Sequence, residues 1–203
     1  MKPDIAKSLR ELGWGLIFTL VDFHLGVFDI LPDVIGYVII LLALNKLRAG
    51  EGNFKPARWL AAVLIPLSLP QLVTKTNLDL NDLGAAPMEV HLYTQGMTVL
   101  HGLLLYFIFR EIYAHFKPLA PAELMYSLFV RLRLYMALFA AQLIIYPFLF
   151  NWSESLMTPF ILLGAAMLIS ELLLIRIPFR LSRVRLDSGG VEKELGNRID
   201  QRI

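Results

Sequence analysis

Val90-His-Leu-Tyr-Thr-Gln-Gly-Met-Thr-Val-Leu-His-Gly-Leu-Leu-Leu-Tyr-Phe-Ile-Phe109 is the stretch of sequence that decides the class of fold. It contains no lysine, arginine, aspartate or glutamate, and Arg110 and Glu111 follow it directly. Because an α-helix rises about 1.5 Å per residue, about 20 residues cross a hydrocarbon core of about 30 Å. The stretch therefore predicts a transmembrane helix.

The composition of the whole chain agrees with a protein embedded in a bilayer. Of the 203 residues, 57% are hydrophobic and only 18% are charged, and the mean hydropathy is +0.61. These values favour one compact membrane domain over a soluble domain. The chain has no cysteine, which excludes disulfides, thiolate metal ligands and cysteine nucleophiles.

Six apolar runs lie along the chain, and they predict an all-α, polytopic membrane protein with a bundle of six transmembrane helices. The last three runs approach the length of a full span, whereas the first three are short. The first run can cross the bilayer if its helix extends over residues 4–22. Pro66 and Pro70 predict a bend in the third helix. The runs are 12–21, 34–44, 59–73, 90–109, 134–150 and 156–175.

The lysines and arginines indicate how these helices are oriented. All of them except Lys75 lie in four segments, which are 1–11, 46–58, 110–133 and 176–203. Cytoplasmic segments of membrane proteins collect basic residues, so this alternation predicts that the N-terminus and the C-terminus are both cytoplasmic. We expect residues 1–186 to form the six-helix transmembrane domain and residues 187–203 to form a polar cytoplasmic tail.

The segment between the first two helices is the densest group of polar side chains. Asp22, His24, Asp29 and Asp33 bring three carboxylates and an imidazole into twelve residues. Such ligands could hold a divalent cation or a cationic ligand. In the alternative interpretation, Asp29 or Asp33 caps the second helix, while Asp22 and His24 face water. The sequence leaves both interpretations open, and it does not assign a metal.

The same region carries a resemblance to a group of known proteins. Leu12-Gly-Trp-Gly-Leu-Ile-Phe18 and Asp29-Ile-Leu-Pro-Asp-Val-Ile-Gly-Tyr37 together resemble a signature of small uncharacterised bacterial membrane proteins. The resemblance covers mainly the first 45 residues. It implies a bacterial cytoplasmic membrane as the location, and it carries no activity over to this chain.

His101 is a polar residue near the middle of the fourth run, and Gln95, Thr98 and Gly102 share a helix face with it. Polar groups are costly in hydrocarbon, so we expect this face to turn inward. Two interpretations stay open. His101 forms an interhelical hydrogen bond that fixes packing, or it contributes to a proton relay or a ligand site.

Glu171 lies inside the sixth run, whereas Arg131 and Arg133 lie near the beginning of the fifth. The short connection between these helices predicts that they pack antiparallel, with the three side chains at similar depth. We therefore expect a structural ion pair between Glu171 and one of the arginines. A role of Glu171 in transport coupling is the alternative.

No residue is assigned as catalytic, and no cofactor is expected. The sequence lacks a phosphate-binding glycine loop, a His-Glu-x-x-His zinc motif and a Gly-x-Ser-x-Gly nucleophile elbow. The basic residues are scattered over several segments, which argues against a nucleic-acid partner. An intramembrane enzyme that uses His101 or the aspartates as acid and base is therefore the least favoured class.

Two functional hypotheses remain. In the first, the protein binds or transports a cation or small polar solute through an outer site of Asp22, His24, Asp29 and Asp33. His91 joins this site, and His101 lies beneath it as a deeper relay. In the second, the protein is a non-catalytic membrane subunit, such as a sensor, an immunity factor or an assembly partner. It then acts on a membrane-protein partner through its helix faces and basic segments.

Overall fold

Helices make up nearly all of the secondary structure in the computed structural model. The structure describes residues 3–20, 24–25, 28–29, 33–48, 53–72, 87–151 and 157–184. The α-helices are α1 (Pro3–Leu20), α2 (Asp33–Arg48), α3 (Lys55–Leu67), α4 (Met88–Phe116), α5 (Ala122–Ile145) and α6 (Met157–Arg183). Two short strands, β1 (His24–Leu25) and β2 (Phe28–Asp29), pair antiparallel between α1 and α2. The helical architecture predicted from the sequence is confirmed.

Three of the described helices are long and apolar enough to cross a membrane. They are α4 with 29 residues, α5 continued to Phe148 with 27, and α6 from Thr158 with 26. In contrast, α1, α2 and α3 have 18, 16 and 13 residues, and α1 carries four charged residues in its first half. Candidate membrane spans are thus found in the second half of the chain, and six crossings stay a prediction.

The six helices form a closed ring. Each helix packs against the next one in sequence, and α6 packs back against α1. Neighbours run antiparallel, since Lys46 near the end of α2 donates to Glu11 of α1 at 2.7 Å. Likewise, Tyr93 near the start of α4 donates to the carbonyl of Leu67 at the end of α3 at 2.6 Å. The starts of α1, α3 and α5 and the ends of α2, α4 and α6 therefore share one end, which we call the basic end.

Apolar side chains cover both the inside and the outside of the ring. The core includes side chains that are 0% exposed on four helices: Leu16, Ile40, Leu105 and Leu174. Large apolar side chains also face outward from α1, α2 and α3, for example Trp14, Leu42 and Trp59 at 54%, 54% and 66% exposure. Monomeric soluble proteins rarely expose this much apolar surface, whereas lipid tails cover it without cost. Exposed apolar side chains are therefore found on the short helices as well as on the long ones.

Glycines bring α1 and α2 into backbone contact. A Cβ atom on Gly36 would lie 2.9 Å from the backbone nitrogen of Thr19 and 3.0 Å from the carbonyl oxygen of Gly15. A Cβ atom on Gly15 would in turn lie 3.0 Å from the backbone nitrogen of Ile40. Only residues without a side chain allow this approach. The motif residues Gly15 and Gly36 therefore set how closely the first two helices pack.

The end of α3 shows how the predicted bend is realised. The helix ends at Leu67, one residue after Pro66, and the chain continues as a 3-10 turn over Leu69–Leu72 that contains Pro70. Each proline lacks an N–H donor, so backbone carbonyls in this region lose their helical partners. The phenol of Tyr93 satisfies the carbonyl of Leu67. The sequence predicts a bend inside one helix, and the structure instead divides the segment into an α-helix and a 3-10 turn.

Candidate functional site

The hairpin between α1 and α2 places two of the expected outer residues opposite each other. In the antiparallel register of β1 and β2, the backbone of His24 pairs with that of Asp29. Asp33 begins α2, four residues farther on, and its side chain is half-buried. Asp22 lies outside the described residues. The backbone therefore brings His24 and Asp29 together at the end of the ring opposite the basic end.

His91 lies near the start of α4 and is 4% exposed. Its Nδ1 atom is hydrogen-bonded to the phenol oxygen of Tyr146, at 2.7 Å. Tyr146 follows α5 directly and opens the 3-10 turn Tyr146–Asn151. This bond joins α4 to the end of α5, so the structure gives His91 a buried interhelical contact at the outer end of the ring.

Three ionisable side chains form a hydrogen-bonded group in the interior of the ring. His101 Nδ1 lies 3.1 Å from the phenol oxygen of Tyr37, and His101 Nε2 lies 3.0 Å from Glu171 Oε1. These residues come from α4, α2 and α6, which are not neighbours in the ring. We call Tyr37, His101 and Glu171 the polar centre.

The three residues of the polar centre are largely shielded from outside. Tyr37 is 2% exposed and Glu171 is 5% exposed, and the side chain of His101 is 17% exposed. His101 is the fourteenth of 29 residues in α4, and Glu171 is the fifteenth of 27 in α6. Both side chains therefore originate near the midpoint of a helix that is long enough to span a membrane.

Local sequence explains why these side chains meet. Gly36 lies against α1, and Tyr37 is the next residue in α2. Because consecutive residues of a helix point in different directions, the side chain of Tyr37 points into the interior of the ring. His101 precedes Gly102, and a Cβ atom on Gly102 would lie 2.5 Å from the ring of Phe139. The glycine lets α5 approach α4 beside the histidine. Small residues next to polar ones thus bring the helices close enough for direct hydrogen bonds.

The hydrogen bonds of the polar centre have two self-consistent proton arrangements. With a neutral imidazole, Nε2–H donates to the Glu171 carboxylate, and the Tyr37 hydroxyl donates to Nδ1. With an imidazolium, both nitrogens donate, and the Tyr37 oxygen accepts from Nδ1–H. The two arrangements differ by one proton at His101 and leave the heavy atoms in place. The polar centre can therefore take up and release a proton without repacking.

Two further hydroxyl groups are buried in the helices that adjoin this centre. Tyr135 of α5 is 0% exposed, and Ser170 of α6, the residue before Glu171, is 2% exposed. Among the described residues, neither the Tyr135 hydroxyl nor the Ser170 hydroxyl has a hydrogen-bond partner. Buried polar groups are usually paired. In the described part of the chain, these two hydroxyls therefore lack the protein partner that buried polar groups usually have.

The arginines of α5 have partners other than the expected one. Arg131 donates from Nη1 to the carbonyl oxygen of Leu173 at 2.8 Å, and the Arg133 guanidinium lies 4.1 Å from the centre of the Phe129 ring. Glu171 pairs with His101 instead. The reason is rotational: Glu171 shares the inward face of α6 with buried Leu174 and Ile175, whereas Arg133 is exposed. Arg131 still links α5 to α6, but through a backbone carbonyl rather than the expected ion pair.

The sequence pattern indicated His101 and Glu171 separately but not their contact, and it indicated none of Tyr37, Tyr135 and Tyr146. Tyr37, Tyr135 and Tyr146 all place hydroxyls at buried positions near polar partners or beside the polar centre. One signal was present for Tyr37, because it lies one helical turn after Asp33. Within the described residues, no group of three or more histidine, aspartate or glutamate side chains could hold a metal ion.

Comparison of the chain with protein-family models, with curated proteins and with solved structures finds no match. The resemblance of the N-terminal motif to small bacterial membrane proteins stays a prediction.

Proposed function

We propose that this protein binds and transports a cation or small polar solute across a membrane, and that the polar centre is its proton-accepting group. One observation carries the proposal: a carboxyl, an imidazole and a phenol form a hydrogen-bonded chain at the midpoint of the ring. Ionisable residues inside a bilayer cost free energy, and they mark ion pathways and proton relays. Histidine suits this role because the unperturbed pKa of its imidazole lies near neutral pH.

A line of proton-bearing side chains leads toward the polar centre. Asp33 begins α2, and Tyr37 follows it by one turn on the same face, about 6 Å along the helix axis. Tyr37 contacts His101, and His101 contacts Glu171. The hairpin with His24 and Asp29 lies immediately before Asp33 and, with Asp22, supplies the proposed outer acceptor. The hydroxyls of Tyr135 and Ser170 would receive the transported species beside Glu171.

The proposal includes six membrane crossings with both termini in the cytoplasm. The short helices α1, α2 and α3 are part of the same ring as the three long ones, and each of them exposes large apolar side chains. Eighteen of the nineteen basic residues belong to segments that this topology places inside. Short helices are tolerated where the bilayer thins or where a polar depression opens above them. A bacterial cytoplasmic membrane is the proposed location.

Transport assays on reconstituted protein test this proposal. Vesicles containing the protein and a trapped pH-sensitive dye receive an imposed pH gradient, followed by a panel of monovalent and divalent cations and polar solutes. We expect at least one of them to change the internal pH faster than it does in empty vesicles. Glu171→Gln keeps the shape of the side chain but not its titration, and it should slow this response by about tenfold or more.

Glu123→Gln is the matched control, because Glu123 is exposed in the first turn of α5. It changes the same functional group and should leave transport unchanged. Equal rates for the Glu171 and Glu123 variants would contradict the role of the polar centre. A response no faster than in empty vesicles across the whole panel would contradict transport.

One observation also favours the second candidate, a non-catalytic membrane subunit. The polar centre joins three helices that are not neighbours in the ring, and a network that only fixes helix packing has the same geometry. A subunit should copurify with one stoichiometric membrane-protein partner in mild detergent. It should also keep that partner in the Glu171→Gln variant, provided the variant stays folded.

A further inference from the structure

A pocket at the basic end is separate from the polar centre. It lies between α2 and α3 and has a volume of about 470 Å³, which is within the size range of small-molecule sites. Its lining combines two cations, an amide, two aromatic rings and two aliphatic side chains: Lys55, Arg58, Asn53, Phe54, Trp59, Leu41 and Ala62. The pocket therefore offers both positive charge and apolar surface.

The two cations of the pocket are not neutralised by carboxylates in the part of the chain that the structure describes. The ion pairs found there are those of Lys46 with Glu11 and of His101 with Glu171. The Arg58 Nε atom is buried and has no hydrogen-bond partner among the described residues. A buried, unpaired guanidinium nitrogen is costly unless an acceptor reaches it. Arg58 and Lys55 thus make the pocket suitable for an anion with several acceptor oxygens.

The apolar surface continues from the pocket along α3. Lys55, Trp59, Val63 and Leu67 recur every four residues and so lie on one face of the helix. Trp59, Val63 and Leu67 are 66%, 43% and 37% exposed. Tryptophan is enriched where hydrocarbon meets headgroups. A cationic end followed by an exposed apolar strip matches the shape of a phospholipid, with its phosphate at the pocket and an acyl chain on the helix.

We propose that this pocket binds the phosphate group of an anionic phospholipid between Lys55 and Arg58, with an acyl chain against Trp59, Val63 and Leu67. Basic pockets between transmembrane helices on the cytoplasmic side are suited to such headgroups. A free phosphate would use the cations but not the apolar strip. The lipid proposal rests on the proposed membrane crossings of α2 and α3 and on the cytoplasmic position of the basic end. It does not depend on the polar centre, so it holds or fails independently of the transport function.

Native mass spectrometry of the full chain in mild detergent tests the proposal. The protein is first depleted of lipid and then titrated with phosphatidylglycerol, with phosphatidylcholine, and with glycerol 3-phosphate. We expect one retained phosphatidylglycerol per protein, weak retention of phosphatidylcholine, and no displacement of the lipid by millimolar glycerol 3-phosphate. The Lys55→Gln/Arg58→Gln variant should weaken phosphatidylglycerol binding by about tenfold or more.

The Arg110→Gln/Lys117→Gln variant is the matched control, because it removes two exposed cations from the basic end outside the pocket. It should bind phosphatidylglycerol like the wild type, and Trp59→Ala should weaken lipid binding without creating a site for glycerol 3-phosphate. Equal losses in the two double variants would overturn the proposal, since binding would then follow only the total charge. Tight binding of glycerol 3-phosphate at the pocket would overturn the assignment to a lipid. Size-exclusion profiles confirm that each variant is folded.

Discussion

At the scale of single residues, His101 is the position on which the centre of the molecule depends. Both of its ring nitrogens are engaged, one by the phenol of Tyr37 and the other by the carboxyl of Glu171. Glu171 is 5% exposed, so its carboxyl has little access to other partners. Removing one member of a buried pair costs more than removing both, because the remaining group is left unpaired.

The cost of an unpaired buried group predicts the stability of two variants. His101→Leu should lower the free energy of unfolding in detergent micelles by about 1–3 kcal/mol, because Glu171 loses its partner. The double variant His101→Leu/Glu171→Leu should recover most of the loss. Denaturant titration followed by circular dichroism measures both values. If the double variant loses the sum of the effects of His101→Leu and of Glu171→Leu, each measured alone, the two side chains do not interact in the folded protein.

At the scale of helices, the glycine contact between α1 and α2 determines the position of Tyr37. Gly36 and Gly15 allow backbone atoms of the two helices to meet, and Tyr37 is the residue next to Gly36. A methyl group at position 36 would meet backbone atoms of Thr19 and Gly15, which cannot move aside as a flexible side chain could. The spacing of α1 and α2 is thereby linked to the geometry of the polar centre.

Gly36→Ala should therefore separate α1 from α2 and destabilise the protein by about 1–3 kcal/mol, as overpacking does in protein cores. Gly164→Ala is the matched control, because a Cβ atom at that position would meet no described atom within 4 Å apart from its chain neighbours and the backbone of its own helix. In the control, the better helix propensity of alanine should leave stability unchanged or raise it by up to about 1 kcal/mol. Thermal denaturation in the same detergent compares the two. Equal melting temperatures would show that α1 and α2 do not pack in this way.

At the scale of the whole molecule, the ring and the charge distribution together predict one orientation in the membrane. The first residues of α1, α3 and α5 lie at the same end of the ring as the last residues of α2, α4 and α6. That end carries the basic residues that the positive-inside rule places in the cytoplasm. The polar hairpin and the start of α4 lie at the other end.

Labelling of single cysteines checks this topology, and the absence of native cysteine makes the experiment direct. Glu89→Cys at the exposed start of α4 should react with a membrane-impermeant maleimide in intact cells. Lys7→Cys, Lys117→Cys and Arg183→Cys should react only after the membrane is permeabilised. All four positions are exposed in the ring. Labelling of Lys7→Cys but not Lys117→Cys in intact cells would show that the number of crossings between them is odd.

The sequence by itself determined the helical class, the three helices long enough to span and the segregation of basic residues. These properties depend on composition and on patterns of apolar and charged residues, and both can be read directly from the amino-acid sequence. It also identified His101 and Glu171 as polar residues inside apolar runs, because their cost in hydrocarbon is a property of each residue alone.

Only the tertiary structure decided that Glu171 meets His101 and not Arg131, and that Tyr37 completes the chain. These contacts join residues 64 and 70 positions apart in the sequence. They depend on how each helix is rotated about its axis and on how closely glycines let the helices approach. The polar residues around His101 indicate which face of α4 turns inward, but hydropathy is nearly uniform around the helix, so they do not give its exact rotation. Packing of the six helices fixes it, and with it the partner of each buried polar group.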